Sequence, residues 1–261
     1  TVVTGEGAKD DAPMLADGER VGRGGAPRYE LAIDPLECTD LCANGLPGAL
    51  ATIAVAPPGA LWSPGPAFYM DKLVAGRRAR GAIDLDAELE VNLDRVARAL
   101  DRPLTDLRVV VLDKPRHRRL VARLRSAGVR VRTPSAGDVA ASLEVLLDDG
   151  DADLLMGVGG TPEGMLTACA VRALGGAMQG RLAPQRADER AALRASGVDV
   201  RRRLEVDDLV GADAVFVATG ISGGLLRAIE RSGEAVTTES LIVAPGEVRR
   251  VLQRTSTDRE D

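Results

Sequence analysis

Aromatic side chains, histidine and cysteine are all scarce in this chain of 261 residues. Phe, Tyr and Trp together make up 2% of it, so the core must be built from aliphatic side chains. A single histidine, His117, argues against a His-dependent catalytic triad and against a zinc cluster. Cys38, Cys42 and Cys169 are odd in number and lack zinc-like spacing, which favours a reducing, cytoplasmic setting.

Long hydrophobic runs and excess positive charge are absent as well. The most apolar region, residues 49–62, is interrupted by Pro57 and Pro58, so no stretch has the length of a membrane span. The chain shows no signal-peptide pattern. Its net charge of −5 argues against a general nucleic-acid surface. We therefore expect a cytoplasmic protein with neither a membrane nor a nucleic acid as partner.

Hydrophobic residues account for 45% of the chain, enough for a sizeable core, and their pattern predicts the strands and helices of an α/β (α+β) fold. Residues 28–34, 50–56 and 68–75 are predicted strands, and the leucine stripe over 85–100 predicts a helix. Strands and helices alternate after Pro103, and the polar stretch 181–208 is interpreted as a solvated helix and loop. We predict an N-terminal lobe (1–103), a C-terminal α/β lobe (104–253) and a disordered tail (254–261).

An acidic turn follows the first of these strands. The apolar run 31–33 is expected to end at Asp34-Pro35, because proline cannot continue a central sheet ladder. Asp34, Glu37 and Thr39 then offer oxygen ligands of the kind that Mg²⁺ prefers, and Mg²⁺ also accepts ligands from a substrate phosphate. A metal site is one interpretation; a solvated turn with an incidental Glu is the other.

A basic turn follows a second predicted strand, residues 109–112. Ligands of open α/β sheets bind at the carboxyl ends of strands, and there Lys114 provides a point charge and Arg116 a bidentate fork suited to phosphate. The alternative is a basic, solvated helix start.

A glycine-rich turn, residues 157–164, follows a third strand. Pro162 occupies the third position where a dinucleotide-binding motif needs glycine. Thr161 as N-cap with Pro162 next to it predicts a helix start, where the helix dipole favours Glu163.

Seven short segments, in order and with nearly constant spacing, resemble the class II fructose-1,6-bisphosphatases, a branch of the metal-dependent, lithium-sensitive sugar and inositol phosphatases. Residues 34–39, Asp-Pro-Leu-Glu-Cys-Thr, are similar to the Asp-Pro-Ile-(Asp/Glu)-Gly-Thr signature of that superfamily. The other segments are 43–56, 65–73, 114–117, 137–142, 159–164 and 237–239. The match runs in order from Thr1 to about Gln253.

The resemblance implies a two-lobed layered sandwich of mixed sheets with flanking helices. It also implies hydrolysis of the 1-phosphate of fructose 1,6-bisphosphate in gluconeogenesis, with Mg²⁺ or Mn²⁺ and in a homo-oligomer. It implies that Thr39, Asp34 and Glu37 are catalytic, with Thr39 orienting or activating the attacking water. The implied metal ligands are Glu6, Asp34, Glu37 and Glu163. The implied substrate contacts are Glu37, Cys38, Thr39, Tyr69, Lys114, Pro115, Arg116, Asp138 and Gly160. From the residues alone, a Tyr at a strand start such as Tyr69 is more often half-buried core than functional, and Asp138 is a natural helix N-cap.

Three features depart from the resembled family. Cys38 replaces a signature glycine and Ala136 replaces an aspartate of a substrate loop. We also expect a missing segment before Thr1, because the family has a further Asp ligand on a helix upstream of Gly5-Glu6-Gly7. The alternatives are therefore a catalytically impaired sugar-phosphate-binding homologue, or another sugar or inositol phosphomonoesterase such as a sedoheptulose 1,7-bisphosphatase.

Overall fold

Two mixed β-sheets organise the computed structural model, which describes residues 1–5 and 14–256. The strands are β1 Val2–Thr4, β2 Glu30–Glu37, β3 Leu50–Ala56, β4 Tyr69–Ala75, β5 Arg108–Val110, β6 Arg130–Arg132, β7 Leu154–Gly160, β8 Ala177–Leu182, β9 Leu204–Glu205, β10 Val215–Gly220, β11 Glu230–Ser232, β12 Ala235–Ala244 and β13 Glu247–Ser256. The helices are α1 Thr39–Ala43, α2 Leu89–Leu100, α3 Arg118–Ser126, α4 Asp138–Leu146, α5 Thr161–Leu174, α6 Ala187–Ser196 and α7 Val206–Leu209.

The first sheet has the strand order β1-β2-β3-β10-β12-β11, with β13 paired to β12. Its β1–β2 pair is parallel and its other pairs are antiparallel. The second sheet has the order β6-β5-β7-β4-β8-β9, in which β5 is parallel to both β6 and β7. Both sheets are thus mixed and the helices flank them, as predicted.

Alternate residues in the strands of the second sheet face two different cores, and this defines the layers of the fold. Along β4, Met70 and Val74 belong to the core shared with α4, α5 and the first sheet, whereas Leu73 and Ala75 belong to the core under α2 and α3. Helix α5 contacts strands of both sheets, so it lies between them. The result is a layered sandwich in which helices separate the sheets and cover the far face of the second one.

The predicted strands at 50–56 and 68–75 are confirmed as β3 and β4, and the predicted helix is confirmed as α2, which begins at Leu89. The predicted end of the first strand at Asp34-Pro35 is wrong, since β2 continues to Glu37. The register of β2 against β3 shifts between Asp34 and Glu37, and exposed Pro35 lies in this irregularity. A bulge accommodates a proline inside a paired strand because a ladder hydrogen bond is already missing there.

The predicted boundary after Pro103 does not coincide with the sheets. Each sheet takes strands from both sides of it: β10, β12 and β13 complete the first sheet, and β4 lies in the centre of the second. The division into lobes at that residue stays a prediction. Disorder was predicted from Arg254 onward, but residues 254–256 pair with β12 in a long hairpin. None of the helices in the described ranges has both the length and the apolar composition that crossing a membrane requires.

Candidate active site

Chain segments from both sheets converge where β4 begins and β7 ends. Tyr69 pairs with Gly160 in the register of these antiparallel strands, so the start of one strand meets the end of the other. Helix α5 begins directly after β7, and the basic turn follows β5, which is parallel to β7. The end of β2 and the start of α4 reach the same place, because the amide N–H of Val139 donates to Glu37 Oε1 at 3.3 Å.

A cavity of about 670 Å³ occupies this junction. The predicted site residues that line it are Glu37, Cys38, Thr39, Tyr69, Lys114, Arg116, Asp138, Gly160 and Glu163. Asp34 and Pro115 are not among its lining residues, although Asp34 is buried nearby, and Glu6 lies outside the described residues. The tertiary structure thus brings together most of the residues that the resemblance singled out; their catalytic and binding roles stay predictions.

Glu37 is the most constrained acid of the cavity. Its side chain is buried and Oε2 accepts no hydrogen bond. Burial raises the pKa of Glu37 well above its ordinary value, and the negative charges of Asp138, Glu163 and Asp34 raise it further. A buried carboxylate with an unsatisfied oxygen is unfavourable unless a cation or a proton neutralises it.

Cys38 follows with a left-handed backbone, φ 66° and ψ 50°, at the N-cap of α1. This conformation favours glycine, the residue of the family signature, and costs a side chain about 1–2 kcal/mol. Burial first and the neighbouring Glu37 second raise the pKa of the Cys38 thiol far above its ordinary value, so the thiol is protonated and a poor nucleophile. The residue that replaces the signature glycine therefore has a strained backbone angle.

Asp138 has a partner that the sequence did not suggest. Lys72, on β4, is 1% exposed and donates from Nζ to Asp138 Oδ2 and, at 3.0 Å, to Gly160 O. A Cβ on Gly159 would collide with this ion pair, which explains the glycine. The N-cap of α4 is Gly137, with φ 93°, so the interpretation of Asp138 as N-cap is wrong and its carboxylate serves the buried pair.

Glu163 lies in the first turn of α5, as predicted, and its carboxylate folds back over Gly160, where a Cβ would collide with it. The N-cap of α5 is Gly160 rather than Thr161, which is the first helical residue, so the predicted start was late by one residue. The fold-back directs the acid toward the cavity that Gly160 also lines.

The basic turn supplies positively charged side chains to the cavity. Arg116 donates from Nε and a terminal nitrogen to Val158 O, at 3.0 and 2.7 Å, and its guanidinium lies 5.4 Å from the centre of the Tyr69 ring. His117 fixes the turn to β7, because its Nε2 accepts from the Val158 N–H at 2.8 Å while Nδ1 contacts Leu112 O at 2.7 Å. Burial lowers the pKa of His117, with the charge of Arg116 adding to the effect, so the ring is a neutral structural brace.

The segment before helix α6 reaches the cavity, and α6 itself is mostly exposed, as its sequence predicted. Arg186, directly before the helix, is a lining residue. Glu189 in the first turn is 1% exposed; Oε1 accepts from the N–H groups of Phe68 and Tyr69, at 2.7 and 2.9 Å, and Oε2 from that of Gln185 at 2.9 Å. An acid in a first helical turn was the only sequence signal, and it does not distinguish a buried residue from a solvated one.

The acidic side of the cavity has the donor chemistry of a hard divalent cation. Its carboxylates are close enough to raise the pKa of Glu37, and Glu37 Oε2 is a buried oxygen without a donor. Within residues 1–5 and 14–256, however, no three Asp, Glu, His or Cys side chains are gathered closely enough to hold a metal ion. The donor set therefore fits such a cation, but the acids are not drawn together as in a closed coordination shell.

Known proteins match this chain over nearly its whole length. A family model described as bacterial fructose-1,6-bisphosphatase, glpX-encoded, matches residues 1–255. The fructose-1,6-bisphosphatase 1 class 2 of Escherichia coli (strain K12) is 40% identical over 278 residues, which cover 100% of this chain and 82% of that protein. The class 2 enzyme of Shigella flexneri matches equally well, at 40% identity over the same shares.

Proposed function

The chain belongs to the family of bacterial, glpX-encoded fructose-1,6-bisphosphatases, and on this basis we propose that it hydrolyses the 1-phosphate of fructose 1,6-bisphosphate, yielding fructose 6-phosphate and phosphate. It is a phosphoric monoester hydrolase of carbohydrate metabolism. The observation that carries the proposal is the family match over residues 1–255, together with one cavity that holds acids for a cation and cations for a phosphate. Gluconeogenesis is consistent with this reaction.

The family is metal-dependent, and we propose Mg²⁺ or Mn²⁺ as the metal. Glu37, Asp34 and Glu163 would hold it, with Glu6 as a further ligand from the family pattern. Such an ion supplies Lewis-acid stabilisation of phosphate oxygens and a more acidic bound water. A dianionic phosphate would otherwise be repelled by the acids that line the cavity.

Side chains of this chain orient the reacting groups. Thr39 begins α1 at the cavity, where its hydroxyl is proposed to hold the attacking water. Asp138 and the backbone around Cys38 and Gly160 are proposed to contact the substrate. The buried Lys72 holds the Asp138 carboxylate in place, so that it can accept hydrogen bonds from sugar hydroxyls.

The second phosphate is proposed to bind on the basic side, next to Lys114, Pro115 and Arg116, with Tyr69 packing under the Arg116 guanidinium. Arg116 and Tyr69 are held in place by their contacts with β7 and with Glu189. A preformed cationic wall of this kind reduces the entropy lost on binding a charged ligand. We further propose a cytoplasmic enzyme that assembles as a homo-oligomer.

Phosphate release over a panel of sugar phosphates, with Mg²⁺, Mn²⁺ or EDTA, tests the function. Fructose 1,6-bisphosphate should be the best substrate, and Asp34→Asn should abolish the metal-dependent turnover while far-UV circular dichroism stays unchanged. If Asp34→Asn turned over at nearly the rate of the parent, the metal site would not lie at this bulge.

The left-handed Cys38 favours a second candidate, a sugar-phosphate-binding homologue with impaired catalysis. Binding of the bisphosphate without phosphate release under every metal condition would support it. Better turnover of an inositol phosphate or of sedoheptulose 1,7-bisphosphate would change the substrate but keep the reaction.

A further inference from the structure

The basic side of the cavity contains a cation that the sequence motifs did not single out. Among the described residues, three cationic side chains line the cavity, namely Lys114, Arg116 and Arg186. The first two belong to the turn after β5. Arg186 comes from a different part of the second sheet, at the end of the segment that joins β8 to α6.

Arg116 alone is a poor clamp for a phosphate. Its Nε and one terminal nitrogen, which form one edge of the guanidinium fork, both donate to Val158 O. Without breaking the contact to β7, a phosphate can use only the other edge, formed by the two terminal nitrogens, so a second guanidinium adds donors that Arg116 does not offer. Lys114 adds a point charge but no fork.

Arg186 has a guanidinium that can be exchanged onto such a ligand. Its present partner is Asp188, two residues away, and both side chains are more than half exposed, at 63% and 62%. Exposed ion pairs contribute little net free energy, so a doubly charged phosphate in the cavity competes well for the guanidinium.

The backbone that carries Arg186 is fixed to the substrate side by a buried carboxylate. Glu189 joins the N–H of Gln185, the residue before Arg186, to the N–H groups of Phe68 and Tyr69 at the start of β4. The ring of Tyr69 in turn lies under Arg116. A continuous set of contacts thus connects Arg186 with the wall proposed for the second phosphate.

We propose that Arg186 binds the phosphate group of the sugar bisphosphate that is not hydrolysed, and that Glu189 is a positioning residue which holds Arg186 at the cavity. The proposal rests on the sugar-bisphosphatase function above and adds a residue that determines preference for a bisphosphate. It predicts that α6 discriminates between substrates with one and with two phosphates.

Steady-state kinetics on fructose 1,6-bisphosphate and fructose 1-phosphate test it, using Arg186→Ala, Arg186→Lys and the control Arg194→Ala. Arg194 is exposed on the same helix and does not line the cavity, so its substitution removes the same charge. We expect Arg186→Ala to raise KM for the bisphosphate about tenfold, the loss typical of a charged hydrogen bond, with kcat nearly unchanged. Arg186→Lys should recover part of it, and KM for fructose 1-phosphate should stay at the parent value in all variants.

Glu189→Gln tests the positioning role. The Gln carbonyl oxygen can still accept from Phe68 and Tyr69, but its NH₂ group cannot accept from the Gln185 N–H. This variant should therefore share the kinetic signature of Arg186→Ala, a raised KM for the bisphosphate alone. Combining Glu189→Gln with Arg186→Ala should add little, because the two act through one contact.

Equal effects of Arg186→Ala on both substrates, or no effect beyond that of Arg194→Ala, would overturn the proposal. If the parent releases no phosphate from fructose 1,6-bisphosphate, the proposed function fails, and isothermal titration with fructose 1,6-bisphosphate and fructose 6-phosphate then decides the inference separately. Weaker binding of both compounds to Arg186→Ala than to Arg194→Ala supports it. Equal affinity, or no binding to the parent, refutes it.

Discussion

Replacing Glu37 by Gln should stabilise the metal-free protein and remove its response to metal. Glu37 is buried, its Oε2 lacks a donor, and Asp34, Asp138 and Glu163 add negative charge around it. Gln keeps the oxygen that accepts from the Val139 N–H and replaces Oε2 with a donor facing carboxylates. The substitution therefore changes an unsatisfied acceptor into a satisfied amide of nearly the same shape.

The size of the effect follows from the unsatisfied oxygen. Leaving a buried polar atom unpaired costs about 1–3 kcal/mol. For a protein of this length, 1 kcal/mol corresponds to roughly 2–4 °C in Tm. We therefore expect the Tm of Glu37→Gln in EDTA to exceed that of the parent by several degrees.

The pH dependence of stability shows independently that Glu37→Gln should be more stable than the parent. Because the pKa of Glu37 is raised in the folded state, the folded protein retains a proton that the unfolded chain releases above about pH 4.5, its ordinary value. The parent thus loses stability relative to the variant as the pH rises from 4.5 toward the folded pKa, and the difference disappears at and below 4.5. Other acids titrate in both proteins and cancel in the comparison.

Thermal unfolding of both proteins in EDTA and in Mn²⁺, at several pH values, checks this. A ligand at about 100 times its Kd stabilises the native state by about 2.7 kcal/mol, so Mn²⁺ should raise the parent Tm and leave that of Glu37→Gln almost unchanged. A variant less stable than the parent in EDTA would refute the reasoning about Oε2. An equal Mn²⁺ shift in both would show that Glu37 is no metal ligand.

Three further predictions concern buried or strained neighbours of the site. Lys72→Met should cost about 3–5 kcal/mol in urea unfolding, because it leaves Asp138 buried without its cation, and adding Asp138→Asn should recover part of it. Cys38→Gly should change stability by less than about 1 kcal/mol, since relief of the left-handed angle is offset by glycine entropy, but should raise kcat/KM by freeing space in the cavity. The parent should lose stability as the pH falls below 6.5, the ordinary value of His117, because its lowered pKa keeps the folded ring neutral while the unfolded chain takes up a proton.

Matched comparisons separate these effects from general destabilisation. A Lys72→Met loss that Asp138→Asn does not reduce would mean that the pair is not the cause. Cys42→Ser is the thiol control for Cys38→Gly, as Cys42 does not line the cavity; unchanged or lower kcat/KM in Cys38→Gly would show that the thiol does not obstruct the substrate. His117→Gln should show a smaller difference in stability between about pH 7.5 and about pH 5 than the parent, and an equal difference would assign the loss to other groups.

The comparison of sequence and structure separates local from long-range information. The alternation of buried and half-buried residues along β3 and the leucine stripe of α2 were visible in the chain, because exposure repeats with the period of each element. At residue 38 the motif gave a partial indication, because Cys38 stands where the signature has glycine, the residue that adopts a left-handed angle most readily.

The bulge at Pro35 was not predictable in the same way. Proline cannot donate a ladder hydrogen bond, which suggests a strand end. A strand nevertheless continues past a proline when the register of its partner shifts at that point, as it does here. Whether β3 does so depends on its own packing, which includes the pairing with β10, far along the chain. Similarly, the sheet that β4 or β10 joins depends on which apolar faces pack together, not on the order of the segments along the chain.

What the sequence by itself determined is the regular elements with a clear period, such as β3 and α2, and, through its motifs, the family and most of the residues gathered at the cavity. Only the tertiary structure decided which charges are buried and what neutralises them. Lys72 meets Asp138 across 66 positions, and Glu189 meets the Tyr69 N–H across 120. A buried charge is tolerated only with a partner, and such partners become neighbours only when distant elements converge, so local patterns carry no record of them.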